Sequence, residues 1–248
     1  GTIVHTADFK IDEAPQHEAP IDKARFTLAG DEGVRLLFSD STNVERPGRT
    51  RPEREVQAGL LRAVKSAEGR VLVTLFSSNI DRMQALVDAA IATRRRLLLL
   101  GRSLQRTFGI ARDLGLLRFD VDPVVDEAAA KRLDGSALLV ALTGSQAQPQ
   151  TALARMAFDN LGGYQIEPGD RVIFSARAIP GNEATIARLK DQIVRRGGEL
   201  YDAPDVHCSG HAMRDEQAEL LGWVRPQSFV PVHGDYRYLV AHAVLARS

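Results

Sequence analysis

The chain has 248 residues, with 32 basic and 32 acidic side chains, one cysteine and one tryptophan; 44% of it is apolar and 26% charged. This composition excludes a collagen, a coiled-coil rod and a disordered chain, and the length allows one large domain or two modest ones. Zero net charge argues against a histone-like, charge-driven nucleic-acid binder, though not against an enzyme whose positive potential is confined to its cleft.

A lone cysteine, Cys208, cannot form an internal disulfide. The longest apolar runs, residues 97–100 and 137–142, fall far short of the ~20 residues of a membrane helix. Nothing at the start resembles a signal peptide. A soluble, cytoplasmic protein with no membrane partner is the expectation. The sequence opens Gly1-Thr2-Ile3-Val4-His5 without Met, inside what reads as a strand, so the chain is expected to be a C-terminal piece of something longer.

In chain order, β-branched and apolar runs predict strands over 2–6, 34–39, 70–76, 96–100, 137–142, 171–175, 199–201 and 228–232. Spacing near 3.6, as at Val56, Leu60, Leu61 and Val64, predicts helices over 52–67, 80–93, 103–114, 150–159, 182–196 and 213–224. The alternation is that of an α/β protein. All six histidines (His5, His17, His207, His211, His233, His242) lie outside residues 56–197. The two ends are therefore expected to form one site, with the middle inserted between them.

Four constellations stand at strand ends or turns. Asp8 follows the first strand in His5-Thr6-Ala7-Asp8-Phe9-Lys10, and Asp40 follows the second in Phe38-Ser39-Asp40-Ser41-Thr42-Asn43. Strand C-termini are where α/β proteins place ligands, although either acid alone reads more readily as a turn or helix cap. In His207-Cys208-Ser209-Gly210-His211, Ser209 and Gly210 can offer a hydroxyl and backbone N–H groups to a phosphate, and a histidine can act as acid, base or ligand. Two surface histidines on a loop are the plainer alternative. Val232-His233-Gly234 ends a strand with an imidazole suited to a metal, where a lone histidine is more often structural.

Within the middle, Phe76-Ser77-Ser78-Asn79, Gly101-Arg102-Ser103, Thr143-Gly144-Ser145-Gln146 and the turn from Ser175 through Arg177, Ile179 and Pro180 to Asn182 all follow strands. Small polar residues there, with Arg102 and Arg177, suit phosphates; ordinary loop composition is the alternative. A phosphate-binding P-loop, a dinucleotide fingerprint, a Cys-x-x-Cys pair and a Gly-x-Ser-x-Gly elbow are all missing from the sequence.

Taken in order, these motifs resemble the ribonuclease J family, metallo-β-lactamase-fold nucleases with an inserted β-CASP domain. The resemblance covers nearly the whole chain. It implies an α/β fold: part of a metallo-β-lactamase αββα sandwich (1–55 and 198–248), plus a β-CASP domain (56–197) with a largely parallel sheet flanked by helices. It implies Asp8 and His233 as metal ligands, and Asp40 with His211 as a catalytic pair in which the acid orients an imidazole that protonates the leaving oxygen. Ser77, Ser78 and Asn79, together with His207, Cys208, Ser209, Gly210 and His211, match positions that hold RNA phosphates, with RNA in the cleft between the domains. The implied activity is metal-dependent hydrolysis of RNA, 5′-to-3′ from a monophosphate end and endonucleolytically, with two zinc or manganese ions. A homo-oligomer is implied for the full-length protein.

The sequence departs from that family at Ala7 (usually glycine), Asp81 (often histidine), Gln148 (commonly glutamate) and Arg177-Ala178 (more usually Ser-Pro or Thr-Pro). The family's His-x-His-x-Asp-His motif is not found in these 248 residues. Asp8 and His233 alone cannot complete two metal shells, so this chain by itself is expected to bind metal poorly and to be nearly inactive. The alternatives are an RNA-binding fragment without catalysis, a β-CASP nuclease acting on DNA or on mRNA 3′ ends, and a small-molecule α/β enzyme.

Overall fold

The structure is a computed structural model and describes residues 1–13, 15, 19–159, 161–179 and 181–248. His17 and Pro180, both singled out in the sequence, lie outside the described residues. The elements are β1 (Thr2–His5), α1 (Lys23–Glu32), β2 (Val34–Asp40), α2 (Glu53–Lys65), β3 (Val71–Thr74), α3 (Ile80–Thr93), β4 (Arg96–Leu100), α4 (Arg102–Asp113), β5 (Val124–Val125) and α5 (Glu127–Ala130). After a 3₁₀ turn (Gly135–Ala137) come β6 (Leu138–Leu142), α6 (Ala152–Phe158), β7 (Arg171–Phe174), α7 (Glu183–Arg195), β8 (Glu199–Tyr201), α8 (Arg214–Val224), β9 (Ser228–Val232) and α9 (Tyr236–Leu245). All eight expected strands and six expected helices form, within two residues at each boundary. The short β5 and α5, and the helices α1 and α9, were not expected. Among the described residues no helix is long and apolar enough to cross a membrane.

The chain divides into two compact units, residues 1–54 with 208–248, and residues 55–207. Because β8 pairs with β7, residues 198–207 stay with the middle unit, later than the boundary expected at 198.

The middle unit holds a six-stranded sheet in the order β5-β4-β6-β3-β7-β8, with every pair parallel. All residues of β3 and β6 are buried, as in a sheet covered on both faces. Connections from β3 and β4 run toward β5, and those from β6 and β7 run toward β8. Right-handed crossovers then put α3 and α4 on one face and α6 and α7 on the other. Leu72, Val140, Leu153, Met156, Leu189 and Ile193 share one core cluster, each burial contributing roughly 1.5–3 kcal/mol. Asn79 caps α3, its Oδ1 accepting from Arg82 N at 2.9 Å, which accounts for the start of that helix.

The other unit holds a three-stranded parallel sheet, β1-β2-β9. Leu37, Ile11, Val34, Leu220, Trp223 and Val224 form its core. Helix α1 packs on α8, and Gly30 is the reason it can: a Cβ there would lie 2.4 Å from the Trp223 carbonyl oxygen. Glu216 of α8 is fully buried and accepts from three backbone N–H groups, those of Ile11 (2.8 Å), Thr50 (2.7 Å) and Met213 (2.8 Å). One carboxylate thereby ties three segments of this unit together.

Candidate metal and acid–base site

The parallel register builds the site. His5 pairs with Phe38 and Asp40 with Val232, so all three strands end at one edge of the sheet. Asp8 follows β1, Asp40 closes β2 and His233 immediately follows β9. His211 arrives from the loop before α8. That loop is held by Asn43, whose Nδ2 donates to Ser209 Oγ (2.9 Å) and to the His211 carbonyl (2.8 Å), and by Thr50 Oγ1, which donates to the same carbonyl (3.0 Å).

One donor atom from each of Asp8, Asp40, His211 and His233 lies within 4.8 Å of all the others. His211 Nδ1 is 2.8 Å from Asp40 Oδ2, and His233 Nδ1 is 3.2 Å from Asp40 Oδ1 and 3.1 Å from Asp8 Oδ1. The two imidazole centroids are 5.2 Å apart. Asp40 is buried, whereas the side chains of Asp8 and His233 are 64% and 54% exposed, so the cluster opens to solvent. Two carboxylates and two imidazoles at this separation are a donor set that fits zinc or manganese.

Backbone strain marks His233 and the residue before Asp8. The positive φ after β9 falls on His233 itself (54°), a residue type enriched in that region. Gly234 instead supplies space, since a Cβ there would lie 3.2 Å from Tyr238 Cβ. Ala7, standing where the resembling family has glycine, has φ 51°, and its N–H donates to His5 Nδ1 (2.9 Å).

Electrostatics separate the buried pair from its neighbours. Burial pushes the Asp40 carboxyl up, but the hydrogen bond from His211, those from the Thr42 hydroxyl (2.6 Å) and amide (3.0 Å), and the His211 charge outweigh it and hold Asp40 below the usual carboxylate value. The hydrogen bond to Asp40 lifts His211 above its ordinary value against the opposing effect of burial, with the charges of Asp40 and Asp8 adding to the lift. With Nδ1–H held by Asp40, the Nε2 proton of a cationic His211 is the one left to give away.

Sequence reasoning named all four clustered residues but not their supports. Thr42 contacts both Asp40 and the His233 carbonyl, and Thr6 Oγ1 accepts from Asp40 N at 3.3 Å. Buried His242 sits behind the site, its Nδ1 3.0 Å from Ser41 Oγ. The Ser-Asp-Ser-Thr-Asn stretch contained Ser41, Thr42 and Asn43; nothing local pointed to His242.

The remaining expected site residues distribute as follows. In the first unit Ser209 is buried against Asn43, Gly210 is exposed, and Cys208 is buried against Lys10 and Glu53. In the middle unit His207 is half-buried, Ser77 is half-buried, Ser78 is exposed, and Asn79 is spent on capping α3. The turns after β3, β4, β6 and β7 all lie at the C-terminal edge of the parallel sheet. Between β4 and β6, whose connections leave in opposite directions, a cavity of about 760 Å³ is lined by Gly101, Arg102, Ser103, Thr143, Thr151 and Arg155, among others. Gln146 clamps the β7 turn, donating to the Arg177 carbonyl (2.7 Å) and accepting from Ile179 N (2.8 Å).

Fold and site together define an α/β protein with a four-donor cluster at the C-terminal edge of a parallel sheet. Comparison with known proteins narrows this. Residues 68–193, just over half of the chain, match the family model for the ribonuclease J beta-CASP domain, and residues 205–248 match that for the Zn-dependent metallo-hydrolase RNA specificity domain. The chain is 42% identical to a ribonuclease J of Sinorhizobium meliloti over 247 residues, covering 99% of this chain and 44% of that protein. It is 41% identical to one from Mycolicibacterium smegmatis over 250 residues, with 100% and 45% covered, and 36% identical to one from Helicobacter pylori over 250 residues, with 100% and 36% covered. The chain belongs to the ribonuclease J family. It spans less than half the length of these curated relatives.

Proposed function

We propose that this chain carries part of the catalytic centre of a metal-dependent ribonuclease that hydrolyses RNA phosphodiester bonds, both from a 5′-monophosphate end and internally. The observation that carries the reading is the convergence of Asp8, Asp40, His211 and His233 within 4.8 Å at one sheet edge. Asp8 and His233, exposed and adjacent, are the residues that would hold divalent metal, zinc or manganese. Two bound ions supply activation of water and stabilisation of the phosphoryl oxygens.

The chain's own residues do the proton work. Buried Asp40 orients His211 and keeps its imidazole cationic, so that Nε2–H protonates the ribose oxygen leaving phosphorus. Thr42 fixes Asp40 and the backbone at His233, keeping the acid aimed at the imidazole. In the middle unit, Ser77, Ser78 and the arginine-lined cavity at Arg102 and Arg155 are suited to backbone phosphates, which supports RNA binding by a chain with no net charge. In this reading the enzyme acts on cytoplasmic RNA and assembles as a homo-oligomer.

The test uses the protein containing this chain and a 5′-monophosphorylated oligoribonucleotide. His211→Ala should lower cleavage by ~10²–10⁴-fold, the ordinary contribution of a general acid, while leaving RNA binding intact. Asp8→Ala and His233→Ala should weaken manganese binding measured by calorimetry. Undiminished cleavage by His211→Ala sinks the assignment of the acid. RNA binding without metal-dependent cleavage in the unaltered protein sinks the enzymatic reading altogether.

A further inference from the structure

Away from the acid–imidazole cluster, the first unit contains a second reactive group of side chains that the proposed hydrolysis does not use. Lys10 Nζ lies 3.1 Å from Glu53 Oε1 and 3.6 Å from Cys208 Sγ, and Cys208 Sγ lies 3.0 Å from the same Glu53 oxygen. Amine, thiol and carboxylate thus form a closed triangle. The group is shielded but not sealed: Cys208 is 6% exposed, and the Lys10 and Glu53 side chains are 19% and 14% exposed. The backbone around the group is already fastened, with Ala212 N donating to the Phe9 carbonyl (2.6 Å) and Ile11 N to Glu216 (2.8 Å). Lys10 and Cys208 are therefore held in apposition by bonds that do not involve their side chains.

We propose that Lys10 and Cys208 are the two ends of an oxidation-driven covalent bridge, a sulfenamide, with hydrogen peroxide as the oxidant and Glu53 as the proton acceptor. In the first step the sulfur attacks one peroxide oxygen. An S–O bond forms, the O–O bond breaks and water leaves, so that sulfur loses two electrons to peroxide and Cys208 becomes a sulfenic acid. In the second step the Lys10 ammonium passes one proton to Glu53 and through it to solvent, and the nitrogen lone pair attacks sulfur. An N–S bond forms, the S–OH bond breaks, and the departing hydroxide takes the second nitrogen proton and leaves as water. The product has two hydrogens fewer than the reduced chain, and no further oxidant is needed. An added thiol reverses it by exchange at sulfur. The bridge would pin the start of the Cys208–His211 loop to the segment after β1, and would protect the sulfur from irreversible oxidation.

The experiment treats the chain with hydrogen peroxide, blocks remaining thiols, digests it and maps the peptides by mass spectrometry. The expected result is a joined pair of peptides containing Lys10 and Cys208, two hydrogens lighter than their sum and separated again by dithiothreitol. Lys10→Arg keeps the positive charge beside Glu53 but removes the nucleophilic amine. In that variant the joined pair should be lost and Cys208 should advance to sulfinic acid, which dithiothreitol does not restore. An unaltered chain whose Cys208 stays a thiol, goes to sulfinic acid or forms an intermolecular disulfide, without a joined pair, overturns the proposal. So does a Lys10→Arg chain protected from sulfinic acid as well as the unaltered one.

Discussion

His211 Nδ1 lies 2.8 Å from Asp40 Oδ2, with the carboxylate side chain 1% exposed and the imidazole 26% exposed. A buried acid thus points a partly open base outward, and both titrations shift in the direction their pairing dictates: His211 up, Asp40 down. The pair contributes stability across the window between those two shifted values. Its His211 part is fully present below the ordinary imidazole value of 6.5 and is lost as pH rises through the raised one. Its Asp40 part is present above 3.8 and is lost as pH falls through the lowered one. NMR titration of the metal-free chain should find His211 titrating above 6.5, and Asp40→Asn should bring it down. An unshifted His211 in the unaltered chain contradicts the pairing.

His242 carries a pH dependence opposite in sign to that of His211. It is fully buried, its ring meets Phe229 edge-on at 4.7 Å, and burial pushes its pKa down to about 4 from 6.5. The unfolded chain therefore binds the proton first as pH falls. Stability should be complete above 6.5 and should decline between 6.5 and about 4, by ~3 kcal/mol in all. Urea unfolding followed by Trp223 fluorescence reads this directly, because the single tryptophan lies in the same unit. His242→Phe should flatten that part of the profile; an unchanged acid slope would assign it elsewhere.

Glu216 is fully buried and serves three backbone amides at once. Glu216→Ala strips the acceptor from the amides of Ile11, Thr50 and Met213 at once. Leaving buried donors unsatisfied costs about 1–3 kcal/mol each, so a loss of ~3–5 kcal/mol is expected, short of full additivity. Glu216→Gln keeps one oxygen and should lose less. Equal urea midpoints for the unaltered chain and Glu216→Ala would show that water replaces the carboxylate.

In α2, Gly59 sits among the buried residues Val56, Leu60, Ala63 and Val64. A Cβ at that position would lie 2.2 Å from the Asp205 carbonyl oxygen, in the segment also held by the Arg62–Asp205 ion pair. Gly59→Ala improves helix propensity by ~1 kcal/mol but forces the two backbones apart, and overpacking of this kind typically costs about 1–3 kcal/mol. Thermal unfolding followed by circular dichroism should show a lower midpoint. A raised midpoint would mean that the 205 segment yields without cost.

Local signals carried much of the fold. Helix α3 begins and ends where its spacing predicts because Asn79 and its apolar stripe act within one segment. Strands β4, β8 and β9 match because apolar runs bounded by turns are also local. The elements that escaped notice depend on partners. The two residues of β5 are a strand only because β4 offers an edge to pair with. Helix α1 contains Gly30, which weakens its helical pattern and makes sense only once α8 lies against it.

The site divides in the same way. The order of the motifs, through the family resemblance, selected Asp8, Asp40, His211 and His233, since each of them alone reads as easily as a turn, a cap or a surface histidine. Their meeting point was decided by the parallel register of β1, β2 and β9, which brings residues nearly the whole chain apart to one edge. Tertiary structure alone placed Thr42, Asn43 and His242 behind them, and set Lys10 beside Cys208. A hydrogen bond between distant segments leaves no periodic trace in either segment; it exists only when the packed backbone holds both partners at bonding distance.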